Sequence, residues 1–101
     1  MSGGAFLYLL ACADGSLYCG WTSDLERRLA RHSAGHGGAY TRSRLPVEIA
    51  AAWHCGSSAQ ARSLEARVKR LPRTTKLALV DGRLLLAQAC DRDADALRLA
   101  V

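Results

Sequence analysis

Apolar positions along this chain come in short runs with two different periods. Phe6 to Cys12 and Leu17 to Trp21 are strand-like runs of aliphatic and aromatic residues, and Ala13-Asp14-Gly15-Ser16 between them is hairpin punctuation. Ser23 stands three residues before Glu26, the reciprocal capping pair that starts a helix, and Leu25 and Leu29 supply its apolar stripe to about Ala34. Gly35, Gly37 and Gly38 end it, and Tyr40-Thr41-Arg42-Ser43-Arg44 leads to Pro46 as a polar, basic surface loop that cannot continue a helix. Val47 to Cys55 reads as a third strand, whose partner, the first strand or the second, the pattern leaves open. Ser57-Ser58 caps a second helix in which Ala61, Leu64, Val68 and Leu71 recur at helical spacing, and Pro72 stops it. A further helix is expected from Arg73 to Val80 with Gly82 as its C-terminal cap, and another across Arg83 to Ala100. The order predicts an α+β fold, a small three-stranded antiparallel sheet flanked by helices in β-β-α-β-α-α order. Residues 1–82 form the domain and 83–101 a helical extension of it.

Length agrees with that single unit. The chain has 101 residues, 50% apolar and 23% charged, room for one domain and not for two. Two prolines and nine glycines without any single-residue tract exclude collagen-like, low-complexity and wholly disordered classes. The apolar runs fall short of the roughly 20 residues that cross a bilayer, so no membrane span is expected. Met1-Ser2-Gly3-Gly4 carries no basic residue and does not read as a secretory signal, which places the protein in the cytoplasm. Cys12, Cys19, Cys55 and Cys90 contain no Cys-x-x-Cys pair and read as reduced core residues. A zinc site would have to recruit His32, His36 or His54 from distant positions.

Charge changes the picture by its location. The net charge is +5, but between Arg27 and Lys76 there are eleven basic residues against Glu48 and Glu65, whereas Asp81 to Asp95 holds four acids. A middle segment this basic faces a polyanion or is a solvated surface.

Hairpin register decides which side chains share a face, because a one-residue slip inverts every one of them. With Asp14-Gly15 as a two-residue turn, Tyr8 and Tyr18 point to opposite sides. With Ala13-Asp14-Gly15 as a three-residue loop and Gly15 left-handed, Tyr8 faces Gly20, Leu10 faces Tyr18, and both phenols share one face. Gly20 then leaves open backbone beside the Tyr8 phenol. On the first helix, Arg28 and His32 fall within the same arc as Leu25 and Leu29, while Arg27 and Arg31 point away. An arginine on a packing face needs an anion, either a carboxylate of the protein or a ligand phosphate. Glu65 lies at the edge of the second helix's buried stripe. It can pair with Lys69 four residues on, hold a hard divalent cation, or be the anion Arg28 requires.

In order, the Tyr8 of Phe6-Leu7-Tyr8, Tyr18-Cys19-Gly20, Asp24-Leu25-Glu26-Arg27-Arg28 with His32, Gly38-Ala39-Tyr40-Thr41-Arg42 and Glu65 resemble the GIY-YIG nuclease superfamily, and more closely its small standalone bacterial members, over about Phe6 to Lys76. The resemblance implies a metal-dependent endonuclease hydrolysing nucleic-acid phosphodiesters, DNA favoured over RNA, with Tyr8, Tyr18, Arg28, His32 and Glu65 catalytic. Arg28 would stabilise charge on the scissile phosphate, Glu65 would hold one Mg²⁺ or Mn²⁺, and the tyrosines would act on water, either one being the base with help from the metal, Arg28 or His32. Gly20, Tyr40, Arg42, Arg44, Lys69, Arg73 and Lys76 would meet nucleic acid, with specificity weak or supplied by a protein partner. Three features depart from the family pattern: Gly-Ile-Tyr has become Phe6-Leu7-Tyr8, no asparagine follows the metal-binding glutamate, where Lys76 stands instead, and within these 101 residues DNA binding is expected from the basic loop Arg42, Arg44 and the run Arg67, Lys69, Arg70, Arg73, Lys76 rather than from a separate domain. The alternatives are a nucleic-acid-binding module of the same fold with little or no catalysis, and a cleft for a small phosphorylated ligand.

Overall fold

The computed structural model describes residues 4–90 and 96–100. Strands β1 (Ala5–Cys12) and β2 (Leu17–Thr22) form the expected hairpin, with Tyr8 opposite Gly20 and Leu10 opposite Tyr18. Gly15 makes that register possible. Its φ of 84° is left-handed, which allows the three-residue loop, and Asp14 Oδ1 accepts from the Ser16 backbone at 3.0 Å to hold the turn. Strand β3 (Val47–Cys55) pairs antiparallel with β1, Leu7 opposite Trp53, so the open choice of partner falls to the first strand.

Among the described residues the sheet has four strands rather than three. Leu97–Arg98 is a two-residue strand, β4, antiparallel to β3 at Trp53 and His54, and the order is β2-β1-β3-β4. Of the helix expected across Arg83 to Ala100, the described residues show Leu86–Cys90 as helix and Leu97–Arg98 as strand. The acidic stretch around Asp91, Asp93 and Asp95 lies outside the described residues.

Five helices are described: α1 (Leu25–Ser33), α2 (Ala39–Arg42), α3 (Ser58–Lys69), α4 (Arg73–Val80) and α5 (Leu86–Cys90). Asp24, not Ser23, caps α1, its carboxylate accepting from the Arg27 backbone at 3.1 Å while Thr22 Oγ1 accepts from the Asp24 backbone. Ser57 caps α3 as expected. The segment read as a surface loop contains α2, a single turn that places Thr41 inward.

Side-chain alternation along the strands divides the core in two. Leu7, Leu9, Cys19, Ala51 and Trp53 face α3, α4 and α5, meeting Ala61, Leu64, Val68 and Leu79. Tyr8, Leu10, Tyr18 and Ala52 lie on the other face, against Leu25 and Leu29 of α1. All four cysteines are buried in these layers, as small core residues are expected to be. Among the described residues no helix is long and apolar enough to cross a membrane, and no three His, Cys, Asp or Glu gather as a metal site.

Candidate active site

On the α1 face, Tyr8, Tyr18 and His32 meet. The shared register brings the two phenol rings to 6.4 Å between centroids, and the His32 ring lies 6.0 Å from Tyr8 and 5.2 Å from Tyr18. Tyr8 Oη sits 3.1 Å from His32 Nε2, and Thr41 Oγ1 of α2 sits 2.8 Å from His32 Nδ1. Both nitrogens of a fully buried imidazole are thus held by hydroxyls. Two glycines make room for the pair. A Cβ at Gly20 would fall 2.5 Å from the Tyr8 hydroxyl, so the phenol occupies the space the missing side chain leaves. Gly37 does the same for the His32 ring.

The cluster continues outward as a stack. Tyr40 lies 5.6 Å from Tyr18, and the Arg44 guanidinium sits 3.9 Å over the Tyr40 ring. Arg44 Nε donates to Asp14 at 2.9 Å and Nη1 to the Tyr40 carbonyl at 2.7 Å. Arg44 therefore ties α2 to the hairpin loop and packs Tyr40 against Tyr18; it is not a freely presented cation.

Burial, reinforced by the neighbouring Tyr18 and by Glu65, holds the Tyr8 phenol well above the ordinary phenol range, with Arg28 opposing. Burial first and the Arg28 charge second push the His32 imidazole below its ordinary value. Near neutral pH the site thus holds a protonated phenol against a neutral imidazole. A folded-state imidazole value depressed below 6.5 contributes stability that is complete above pH 6.5 and is lost as pH falls through the folded value, because the unfolded chain takes up the proton first. The urea midpoint is expected to fall from pH 7.5 to pH 5, and His32→Gln to flatten that slope. An equal slope in the variant would assign the acid sensitivity to other groups.

Arg28 reaches the cluster from α1, one turn before His32, and its charge is felt at both Tyr8 and His32. It lines a hollow of about 400 Å³ together with Thr22, Ser23, Asp24, Arg27 and Arg31. Arg27 and Arg31, exposed as expected, therefore share one basic recess with Arg28. A larger hollow, about 490 Å³ beside Trp53, Leu86 and Arg98, contains none of the site residues.

Glu65 comes from the opposite layer. Its helix packs on the Leu7–Cys19 face, and its charge acts on Tyr8 and on the Cys19 thiol of edge strand β2, which burial above all pushes up to about 12. Among the described residues it pairs with Lys69 at 3.6 Å and makes no ion pair with Arg28. Lys69 and Lys76 share this side, both acting on Cys19, and Lys76 Nζ donates to the Lys69 carbonyl at 3.4 Å. Arg73 is exposed at the start of α4, and Arg42 is exposed on α2 beside Tyr40. The expected basic residues thus fall into one group on α2 and the turn after it, Arg42 and Arg44, and another on α3 and α4, on the two sides of the sheet.

Thr41 and Gly37 are the site residues that sequence reasoning missed. Thr41 stood inside the segment read as a loop, and Gly37 had been read only as a helix terminator. Nothing in the sequence pattern sets Gly37 apart from the neighbouring Gly35 and Gly38, which are left-handed; only its packing against His32 does.

Residues 4–78 match the GIY-YIG catalytic domain family. A UPF0213 protein of Lactococcus lactis subsp. cremoris is 46% identical over 81 residues, covering 79% of this chain and 83% of the relative. One from Streptococcus sanguinis is 45% identical over 83 residues, covering 82% and 95%. The solution NMR structure of a UPF0213 protein from Bacillus halodurans is similar at a TM-score of 0.53 and 37% identity, over 85% of this chain and 92% of that one.

Proposed function

This chain belongs to the GIY-YIG family, and from that premise we propose that it is a divalent-metal-dependent endonuclease hydrolysing nucleic-acid phosphodiesters, DNA before RNA. The observation that carries the reading is the buried Tyr8–His32 pair acted on by Arg28 from one side and Glu65 from the other. Phosphoryl transfer needs charge neutralisation, positioning and a proton acceptor for the attacking water, and these residues provide for each. Arg28 supplies a planar cation for the phosphate, and Arg27 and Arg31 in the same recess would receive the next phosphate along the strand. Tyr8, kept protonated by its surroundings, suits donation rather than proton removal, and both His32 nitrogens are already engaged by Tyr8 and Thr41, which leaves the water to Tyr18.

The residues fit a hard ion. Glu65 is a half-buried carboxylate loosely paired with a lysine, a single oxygen ligand of the kind Mg²⁺ or Mn²⁺ completes with waters and substrate phosphate. An ion at Glu65 would neutralise charge on that phosphate and acidify bound water.

The test is cleavage of a supercoiled plasmid and of single-stranded oligonucleotides with Mg²⁺, Mn²⁺ or chelator. Metal-dependent products are expected, reduced at least about 10²-fold in Glu65→Gln, the loss typical of removing one charge-stabilising group. Salt-sensitive binding without metal-dependent turnover would overturn the hydrolytic reading in favour of a binding module.

A further inference from the structure

We propose that Thr41 is a positioning residue whose hydroxyl donates to His32 Nδ1, fixing the imidazole as the Nε2–H tautomer and turning the Tyr8 O–H proton away from the ring to meet a phosphate oxygen. The tautomer rests on a phosphate taking the proton that the buried Tyr8 otherwise gives only to His32; nucleic acid as the source of that phosphate rests on the nuclease reading.

A neutral imidazole has one N–H and one lone pair, so of two hydroxyls bonded to it, one must donate into the ring and the other must accept from it. His32 and Thr41 are 0% and 1% exposed. Thr41 Oγ1 bonds to His32 and to no other described residue. If Nδ1 carried the proton, the Thr41 proton would be left without an acceptor in the interior, whether or not a ligand is present. Tyr8 would then spend its own proton on Nε2 and show a phosphate only lone pairs, and phosphate oxygens also only accept.

The opposite arrangement satisfies every group once a phosphate is bound. Thr41 donates to Nδ1, Nε2–H donates to the Tyr8 oxygen at 3.1 Å, and the Tyr8 proton remains for the ligand. Its phenol is held protonated by burial, as a donor must be. Thr41 keeps this geometry because α2 is itself tied down through Arg44 to Tyr40 and Asp14.

The test reads the two His32 nitrogens directly, by ¹⁵N NMR of the protein saturated with inorganic phosphate. Nδ1 is expected unprotonated and Nε2 protonated. Thr41→Val, which keeps the shape and removes the hydroxyl, should give mixed tautomers, and Thr41→Ser should restore the single form. Cleavage should follow the same order, with a loss on the order of 10²-fold in Thr41→Val from a misplaced group and recovery in Thr41→Ser. An Nδ1–H tautomer in the unmodified protein, or an unchanged tautomer in Thr41→Val, overturns the proposal. A protein that cleaves no nucleic acid refutes the nuclease reading and leaves the tautomer to the spectrum, which decides it alone.

Discussion

Arg28→Ala is expected to lower single-turnover cleavage by about 10²–10³-fold, the loss typical of removing one group that stabilises developing charge, while the thermal midpoint stays unchanged or rises slightly. The two halves of that expectation come from one observation. An arginine on the packing face of a helix requires an anion, and the choice was between a carboxylate of the protein and a phosphate. Glu65, the carboxylate that helix periodicity offers, is paired with Lys69 on the other layer. Asp24 shares the Arg28 recess, but its carboxylate caps α1 through the Arg27 backbone. No carboxylate among the described residues pairs with Arg28, which leaves its guanidinium to the phosphate of the proposed substrate.

An arginine of that kind stabilises nothing in the free protein. It stands among Arg27 and Arg31 in one recess, and like charges one turn apart on a helix repel by a few tenths of a kcal/mol. Removing Arg28 therefore costs the fold little. Arg28→Lys keeps the charge but not the planar fork, so it should recover only part of the activity. Turnover within a few-fold of the unmodified protein, or a midpoint several degrees lower in Arg28→Ala, would make Arg28 a structural residue.

The parts of the fold that the sequence made legible are those decided by local geometry. The positive φ of Gly15 allows a three-residue loop, that loop sets the hairpin register, and the register alone puts Tyr8, Tyr18 and Gly20 on one face. The stripe of Ala61, Leu64 and Val68 is buried as its spacing requires. The misses are decided by tertiary contact. Two residues, Leu97 and Arg98, become a strand only because the edge of β3 is free to pair with them, and a two-residue pattern has no period to read. The single turn of α2 is too short for propensity to announce. The cap moved from Ser23 to Asp24 because Thr22 holds the Asp24 backbone, a contact the capping-pair rule does not weigh. Helix periodicity placed Glu65 at the edge of a buried stripe, but which face of the sheet that stripe covers is a property of the whole chain. Hence the phenols, His32 and Arg28 were legible as one cluster, and the approach of Glu65 from the opposite layer was not.

Gly37→Ala is expected to destabilise the fold by about 1–3 kcal/mol, the usual range for overfilling a packed interior, and to reduce cleavage along with it. The cause is steric and not conformational, because the φ of Gly37 lies outside the left-handed region and any residue can adopt the backbone there. A Cβ at this position would fall 2.6 Å from His32 Cε1 and closer still to Nδ1 and Cγ. The ring cannot step aside cheaply. It is fully buried, and moving it breaks the hydrogen bonds to Tyr8 and Thr41 together. Gly56→Ala is the contrasting change, since its Cβ would meet only Gln60 Oε1, at 3.5 Å, and should leave the urea midpoint nearly unchanged. A double-mutant cycle then identifies what the new methyl strikes. His32→Ala empties the space the ring fills, so adding Gly37→Ala to it should cost far less than adding Gly37→Ala to the unmodified protein. Additive losses would mean that the methyl collides with something other than the imidazole, and the view of Gly37 as the floor beneath His32 would have to be given up.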